Sequence, residues 1–534
     1  MSTEAPAESS VSSIPALLAD TVARHGDRSA VVTDDGPVTW AEIDERSRRF
    51  GAALVAAGIA AGDRVAIWSP NSVEWIVAVL GLFRAGAVLV PINTRFKGTE
   101  AAVLLERSGA KALITVTDFL DTDYVALLEA ADADLPDLTL TVIAQGPAPE
   151  STVAWDSLLA GVTDDALAEV DRRSAALGRD DPSDILFTSG TTGVPKGVVM
   201  THGRTLGVAT DWVAMTGLTA DDRYLMVNPY FHMFGLKAGI LASVAAGATM
   251  YPEPVFDVDR ALARVGAEAI TVLPGAPTIY QAVLDHPDRS AHDLSSLRVA
   301  VTGAADIPVE LIRRVFDELP FSVVVTGYGL TEAGTASATV PGDDAETVAT
   351  TVGRPRPGFK VRILDGDTEV ATGEPGEIVL RGPTVMLGYL DDPEATAATL
   401  SADGWLRTGD LGVVDDRGNL RIVGRSKDMF IVGGFNAYPA EIENLLLGHP
   451  DIAQAAVIGI PDERLGEVGM AFLVARAGAT LDPAEVIAWS REHMANYKAP
   501  RAVEIVAELP VNATGKVVKD ELRARVAGGT TGPS

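Results

Sequence analysis

The stretch Ile185-Leu-Phe-Thr-Ser-Gly-Thr-Thr-Gly-Val-Pro-Lys-Gly-Val-Val199 organises the reading of this chain. An apolar, β-branched run leads into it and another leads out. Between them, Gly190 and Gly193 let backbone N–H groups turn towards one point, and Thr188, Ser189, Thr191 and Thr192 add short donors. Lys196 adds a mobile positive charge. Such a set suits the oxygens of a polyphosphate, so the expected ligand is a nucleoside triphosphate. The segment is not a Walker A loop. No Gly-Lys-Ser/Thr closes it, and Pro195 followed by Val198-Val199-Met200 predicts an exit into a strand, not a helix.

Outward from this loop the pattern is that of a parallel sheet covered by helices. Upstream, an apolar strand is expected at 65–68, then a helix capped by Ser69-Pro70-Asn71 and running to about Ala85. A strand at 87–90, a helix at 99–108 and a strand at 112–116 complete a βαβαβ run. Downstream, a helix near 259–265, strands at 269–273 and 297–302, a helix at 308–318 and a strand at 322–326 repeat the rhythm. After Thr351 short alternating runs at 360–364 and 377–381, separated by Asp-Gly and Pro-Gly turns, predict a small antiparallel β unit. From Arg425, elements at 440–447, 455–460, 471–474, 484–494 and 503–506 fit a compact α+β domain of about a hundred residues.

Composition narrows the function classes. The 534 residues are too many for one core. Forty-three basic and 73 acidic residues leave a net charge of −30, which argues against nucleic acid and anionic membranes as partners. An anionic ligand must therefore be held by local donors and a divalent cation. There is no cysteine, so disulfides, thiolate metal sites and a protein thiol nucleophile are excluded. The acidic N-terminal segment does not read as a secretory leader. The apolar stretch 75–83, cut by Arg84, falls short of the roughly 20 residues of a membrane helix. A soluble, cytoplasmic protein is expected, with unstructured tails at 1–12 and 527–534.

Five other segments bear on the chemistry. Thr326-Gly-Tyr-Gly-Leu-Thr-Glu332 begins like a dinucleotide fingerprint, with Gly327 and Gly329, but Glu332 stands where a third glycine belongs. A carboxylate there would repel a pyrophosphate, which speaks against an oxidoreductase. Beside a triphosphate it makes sense as a holder of Mg²⁺, a hard cation preferring oxygen. Tyr328 offers a ring to a purine and Thr331 a donor to a phosphate. Trp405-Leu-Arg-Thr-Gly-Asp410 places an acid at the end of a short turn, able to accept from both hydroxyls of a ribose. Arg421-Ile-Val-Gly-Arg-Ser-Lys-Asp428 lies where the composition changes; Arg425 could reach ribose or phosphate, and Gly433-Gly434 permits close backbone approach. Asn512-Ala-Thr-Gly-Lys516 is a polar loop whose lysine, on physics alone, would be solvated. His232, in Asn228-Pro-Tyr-Phe-His-Met-Phe-Gly-Leu236, is as readily a core histidine as a site residue.

In this order, over residues 15–522, these segments resemble the adenylate-forming superfamily of acyl-CoA synthetases, luciferases and peptide-synthetase adenylation domains. The resemblance implies an α/β fold: a large N-terminal domain (13–424) of two helix-covered sheets plus a small β unit, and a small mobile α+β C-terminal lid (425–526). It implies that the loop from Thr188 to Lys196 grips phosphates, with Thr191 and Glu332 as magnesium ligands. Gly303, Ala304 and Ala305 would line the adenine site together with the 326–332 stretch, and Asp410 would bind ribose. Lys427 would be the hinge, Lys516 the catalytic lysine, and Gly433, Gly434 and Phe435 the border of a pantetheine tunnel.

Amino-acid-activating relatives carry an aspartate after the first Phe of the aromatic motif; here His232 follows Phe231, resembling the gate of acyl-CoA ligases. The implied reaction is therefore ATP-dependent formation of an acyl-adenylate and its transfer to CoA. Asn228–Leu241, Ile270–Tyr280 and Thr347–Pro355 further resemble actinobacterial ligases acting on a bicyclic propanoate left by steroid-ring degradation, with Lys237 and the small Gly275-Ala276 pair suiting a bulky acid bearing an extra oxygen. Fatty and aromatic acids are the alternative substrates, and a luciferase-like oxygenase is the alternative activity. The resemblance leaves room for a homodimer. A serine hydrolase is not supported, since no Gly-x-Ser-x-Gly occurs.

Overall fold

The computed structural model describes residues 11–188, 195–303, 309–425, 428–432, 435–462, 464–512 and 516–527. Two large sheets carry the fold. The eight-stranded one runs Gly388–Tyr389, Lys196–Thr201, Pro182–Thr188, Val88–Pro91, Arg64–Trp68, Ala112–Val116, Leu140–Gln145 and Val153–Ala154. The nine-stranded one runs from Arg354–Pro355 through Gly334–Ala338, Val323–Leu330, Val299–Thr302, Val272–Gly275, Arg223–Met226 and Thr249–Pro252 to Ser29–Thr33 and Gly36–Thr39. Their central strands are parallel and largely apolar, as strands covered on both faces tend to be.

The helix Val73–Arg84 shows why two such sheets pack. Every residue from Trp75 to Arg84 is buried, so the helix has no solvent face. It starts one residue later than the expected cap: Ser72 Oγ accepts from the Trp75 N–H at 3.1 Å. Asn71 is thereby released for another task. Its Nδ2 donates to the carbonyls of Met226 and Asn228, each at 3.0 Å, and its Oδ1 accepts from the Tyr230 N–H at 2.8 Å. One amide thus clamps the backbone of the aromatic motif.

Two further boundaries differ for local reasons. The helix Val258–Glu268 ends on Ala269 in the left-handed region (φ +48°), so the chain reverses there and the next strand begins only at Val272. The strand from Val323 does not stop near Val325 but continues to Leu330, because it doubles back as a hairpin with Gly334–Ala338. Gly329 is required at that crossing: a Cβ there would lie 2.5 Å from the Gly334 carbonyl oxygen.

The antiparallel β unit is present as five strands in the order Thr368–Glu369, Lys360–Asp365, Gly376–Arg381, Leu406–Val414 and Leu420–Arg425. The C-terminal part is α+β. A long hairpin, Ile452–Asp462 with Gly466–Ala475, is joined by Ala502–Ile505 in parallel and by Phe430–Val432 and Phe435–Ala437, and is packed by Pro439–Leu446, Pro483–His493 and Lys519–Ala527. Among the described residues no helix is long and apolar enough to cross a membrane.

Candidate active site

The strand ends converge where the sequence motifs lie. Thr188 closes the strand Pro182–Thr188 and pairs across with Lys196, the first residue of the strand that leaves the loop. The exit is a strand, as the proline and valines predict. The loop residues Ser189, Gly190, Thr191, Thr192 and Gly193 lie outside the described residues. So do Ala304, Ala305, Lys427, Gly433 and Gly434, whereas the backbone of Phe435 opens the strand Phe435–Ala437.

Glu332 lies in the turn between the hairpin strands Val323–Leu330 and Gly334–Ala338, and its main-chain oxygen accepts from the Met386 N–H at 2.7 Å. Its side chain is met by a residue that no sequence pattern marks: Tyr389 donates its hydroxyl to Glu332 Oε1 at 3.0 Å. The Lys196 ammonium sits 5.0 Å from the centroid of the same tyrosine ring. Tyr389 belongs to a two-residue strand, Gly388–Tyr389, too short to leave a periodic signal. Burial pushes the Glu332 carboxyl above the usual carboxylate range, and the hydrogen bond from Tyr389 only partly offsets it. A desolvated carboxylate with one hydrogen-bond donor is suited to a hard divalent cation, which would restore its charge. Among the described residues no cluster of three or more His, Asp or Glu makes a metal site by itself. Further oxygen ligands must come from a phosphate, from water or from the loop.

Asp410 is not at the end of a turn. It lies inside the strand Leu406–Val414, one residue after Gly409 (φ +70°), which turns the backbone locally. It is 6% exposed and carries two partners: the Tyr328 hydroxyl donates to Oδ2 at 2.6 Å, and Arg425 Nε lies 2.9 Å from Oδ1. Arg425 faces Asp410 directly across the antiparallel ladder. Tyr328 is 9% exposed, its ring packed in the core of the β unit. Gly303 follows the last residue of the neighbouring parallel strand Val299–Thr302, and a Cβ on it would lie 3.4 Å from the Gly327 oxygen. Gly303, Gly327, Tyr328, Asp410 and Arg425 therefore form one contiguous wall. Burial holds the Tyr328 phenol protonated and able to donate.

His232 caps the short turn Met233–Gly235, with Nδ1 accepting from the Phe234 N–H at 3.2 Å. Desolvation lowers its pKa to about 4, so it is neutral at physiological pH and its Nδ1 is committed as an acceptor. Two expectations for the acid pocket are corrected. Lys237 does not face a substrate: it is 0% exposed, with its ammonium 2.8 Å from Asp184 Oδ1, likewise 0% exposed. The space that Gly275 leaves is taken by Ile279, whose Cδ1 would lie 2.6 Å from an added Cβ.

Lys516 and Asn512 are bonded to one another, and residues 513–515 between them lie outside the described residues. The Lys516 N–H donates to Asn512 Oδ1 at 2.9 Å, and its carbonyl accepts from the Asn512 N–H at 2.8 Å. The Asn512 carbonyl in turn accepts from Arg95 Nη1 at 3.2 Å, which ties the lysine loop to the large domain.

Residues 18–390 match the family model of AMP-binding enzymes, and residues 441–516 that of the AMP-binding enzyme C-terminal domain. The chain is 50% identical over 512 residues to the 3-[(3aS,4S,7aS)-7a-methyl-1,5-dioxo-octahydro-1H-inden-4-yl]propanoyl:CoA ligase of Rhodococcus jostii (95% of this chain, 98% of the relative). It is 52% identical over 511 residues to the ligase of the same description from Mycobacterium tuberculosis (96% and 98%). Among solved structures, that of the anthranilate CoA ligase AuaEII with anthranoyl-AMP superposes with a TM-score of 0.88 at 28% identity, covering 97% of this chain and 98% of that one.

Proposed function

We propose that this chain, which belongs to the AMP-binding enzyme family and is an AMP-forming acyl-CoA ligase, activates a bicyclic dioxo-indane propanoate of the kind left by steroid-ring breakdown. The observation that carries the substrate is the identity of at least half the residues, over 95% or more of the chain, to two ligases described by that acid.

In the first half-reaction a carboxylate oxygen attacks the α-phosphorus of ATP, the bond from that phosphorus to the β-phosphate bridging oxygen breaks, and pyrophosphate leaves. Two anions must meet, and Lys516 is assigned to lie between them and offset their repulsion. The loop from Thr188 to Lys196 is assigned to the β- and γ-phosphates. The wall of Gly303, Tyr328, Asp410 and Arg425 is assigned to adenosine, with Asp410 accepting from the ribose hydroxyls. Glu332 and Thr191 would hold Mg²⁺, which supplies charge neutralisation at the phosphate oxygens when bound. Tyr389 holds the Glu332 carboxylate in place. In the second half-reaction a thiol sulfur attacks the acyl carbon and AMP leaves. The chain has no cysteine, so the thiol is that of CoA. Domain boundaries at 424/425 with Lys427 as hinge belong to the same proposal, as does His232 as the gate of the acid pocket.

A panel of bicyclic steroid-derived, fatty and aromatic acids, assayed for ATP- and CoA-dependent AMP release, tests the substrate. The highest kcat/KM is expected for the bicyclic propanoate; a fatty or aromatic acid preferred over it overturns the assignment.

A further inference from the structure

The reaction assigned above makes no use of Lys237 and Asp184, yet their burial is complete. Both side chains are 0% exposed. Asp184 Oδ2 accepts from Ser183 Oγ and Thr205 Oγ1, each at 2.6 Å, while Oδ1 and the ammonium face one another at 2.8 Å as an ion pair without the alignment of a hydrogen bond. Among the described residues the Lys237 ammonium has no other partner. Burying two charges costs several kcal/mol of desolvation per ion, roughly what their attraction returns, so a pair of this kind is poorly explained by stability. Register is the better-attested use.

The positions of the two residues give that register a meaning. Asp184 lies in the strand Pro182–Thr188, which runs directly into the phosphate loop. Lys237 lies in the π-helical turn Leu236–Leu241, which continues the aromatic motif beyond His232. π turns are rare and need outside support. This one is gripped from both sheets. Lys237 binds the eight-stranded sheet, while the Tyr224 hydroxyl donates to the Ala238 carbonyl at 3.1 Å and Gly239 abuts Met226, both from the nine-stranded sheet.

We propose that the Lys237–Asp184 pair is a positioning bridge that couples the acid-binding segment to the phosphate loop, so that binding of the acid and of ATP strengthen one another. The inference rests on the assignment of the aromatic motif to the acid and of the 188–196 loop to the phosphates. It does not depend on which acid is used. Neither residue touches substrate; each acts through the segment that carries it.

The test uses the full chain, the acid preferred in the panel, and an ATP analogue with a methylene between the α- and β-phosphates, so that binding is read without turnover. Calorimetric titration of the analogue with and without saturating acid is expected to show a mutual tightening of about 10-fold in the wild type. The double variant Lys237→Met with Asp184→Asn removes both charges together and is expected to melt near the wild-type temperature, with the tightening reduced to less than about twofold and both KM values raised. Single Lys237→Met, which strands the buried carboxylate, should melt far lower. Thr205→Val and Ser183→Ala loosen Asp184 without touching either charge, and each is expected to reduce the tightening by about half. A double variant that folds and keeps wild-type coupling overturns the proposal. Should it not fold, unchanged coupling in both Thr205→Val and Ser183→Ala does so. A wild-type enzyme without mutual tightening also overturns it. Failure of the bicyclic acid in the panel, with another acid showing the coupling, removes only the substrate assignment.

Discussion

Two parts of this site are held in opposite ways. Glu332 and Asp410 each receive a tyrosine hydroxyl, at 3.0 and 2.6 Å, and both tyrosines are anchored in the large domain. Asp410 is further fixed by Arg425 across a ladder. Lys516 stands in the C-terminal part, its N–H bonded to Asn512 Oδ1, and the Asn512 carbonyl accepts from Arg95 of the N-terminal part. The contrast teaches a division of labour. The groups assigned to the nucleotide and its cation sit within a strand (Asp410) or in a hairpin turn between two strands (Glu332), each already oriented by a tyrosine. The lysine assigned to the first half-reaction alone stands instead outside both large sheets, on the segment bonded through Asn512.

The contrast breaks most clearly at Lys516. Lys516→Ala is expected to lower acyl-adenylate formation by roughly 10²–10³-fold, the range for loss of one charge-stabilising group. Thioester formation from a supplied acyl-adenylate should be unchanged. Pyrophosphate exchange reads the first and AMP release the second; an equal fall in both removes the assigned role.

On the built-in side, Tyr389→Phe should raise the Mg²⁺ concentration needed for half-maximal adenylation by about 10-fold, as loss of a partner that orients a metal-holding carboxylate does. Glu332→Gln should raise it further. A Tyr389→Phe enzyme with an unaltered Mg²⁺ titration would mean that the tyrosine serves only packing. Arg95→Ala removes one exposed hydrogen bond worth about 1 kcal/mol, so adenylation should slow about fivefold with thiolysis untouched. A loss in both half-reactions would show that Arg95 does more than dock the lysine loop.

The smallest expected effect is on stability, and it tests how far the large domain is preformed. Desolvation lowers the pKa of both His202 and His232 from the ordinary 6.5 to about 4. The unfolded chain therefore binds protons that the folded chain refuses. Their contribution to stability is complete above about pH 6.5 and is lost as pH falls towards 4. His202→Gln should flatten this part of the melting curve, by roughly 5 °C at pH 4.5 relative to wild type after matching at pH 7.5. An unchanged slope would place His202 outside the acid response.

Much of this arrangement was legible because parallel, doubly covered strands are written as largely apolar runs: those at 65–68, 112–116 and 297–302 needed no partner to be recognised. The glycine-rich, hydroxyl-rich loop after Thr188 was legible for the same local reason, and five short polar motifs in order carried the family resemblance. The misreadings of polar residues came from competition between local and distant partners. Ser69-Pro70-Asn71 reads as a helix cap, but Asn71 is used on the backbone at Met226 and Asn228. Asp410 reads as a turn residue, but the facing strand claims it. Lys237 reads as a free cation beside a pocket, but Asp184, fifty-three residues upstream, takes it.

What the sequence alone determined is the class of chemistry. Periodicity and backbone permission are properties of neighbours along the chain, and they sufficed for the α/β order, the phosphate loop and the adenylating family. What only the tertiary structure decided is which polar groups answer one another. Tyr389 with Glu332, Tyr328 with Asp410, Arg95 with Asn512 and Lys237 with Asp184 are each joined across 57 or more residues, except the last at 53. The energy of a buried carboxylate depends on what lies within a few ångströms, and only folding brings those partners there.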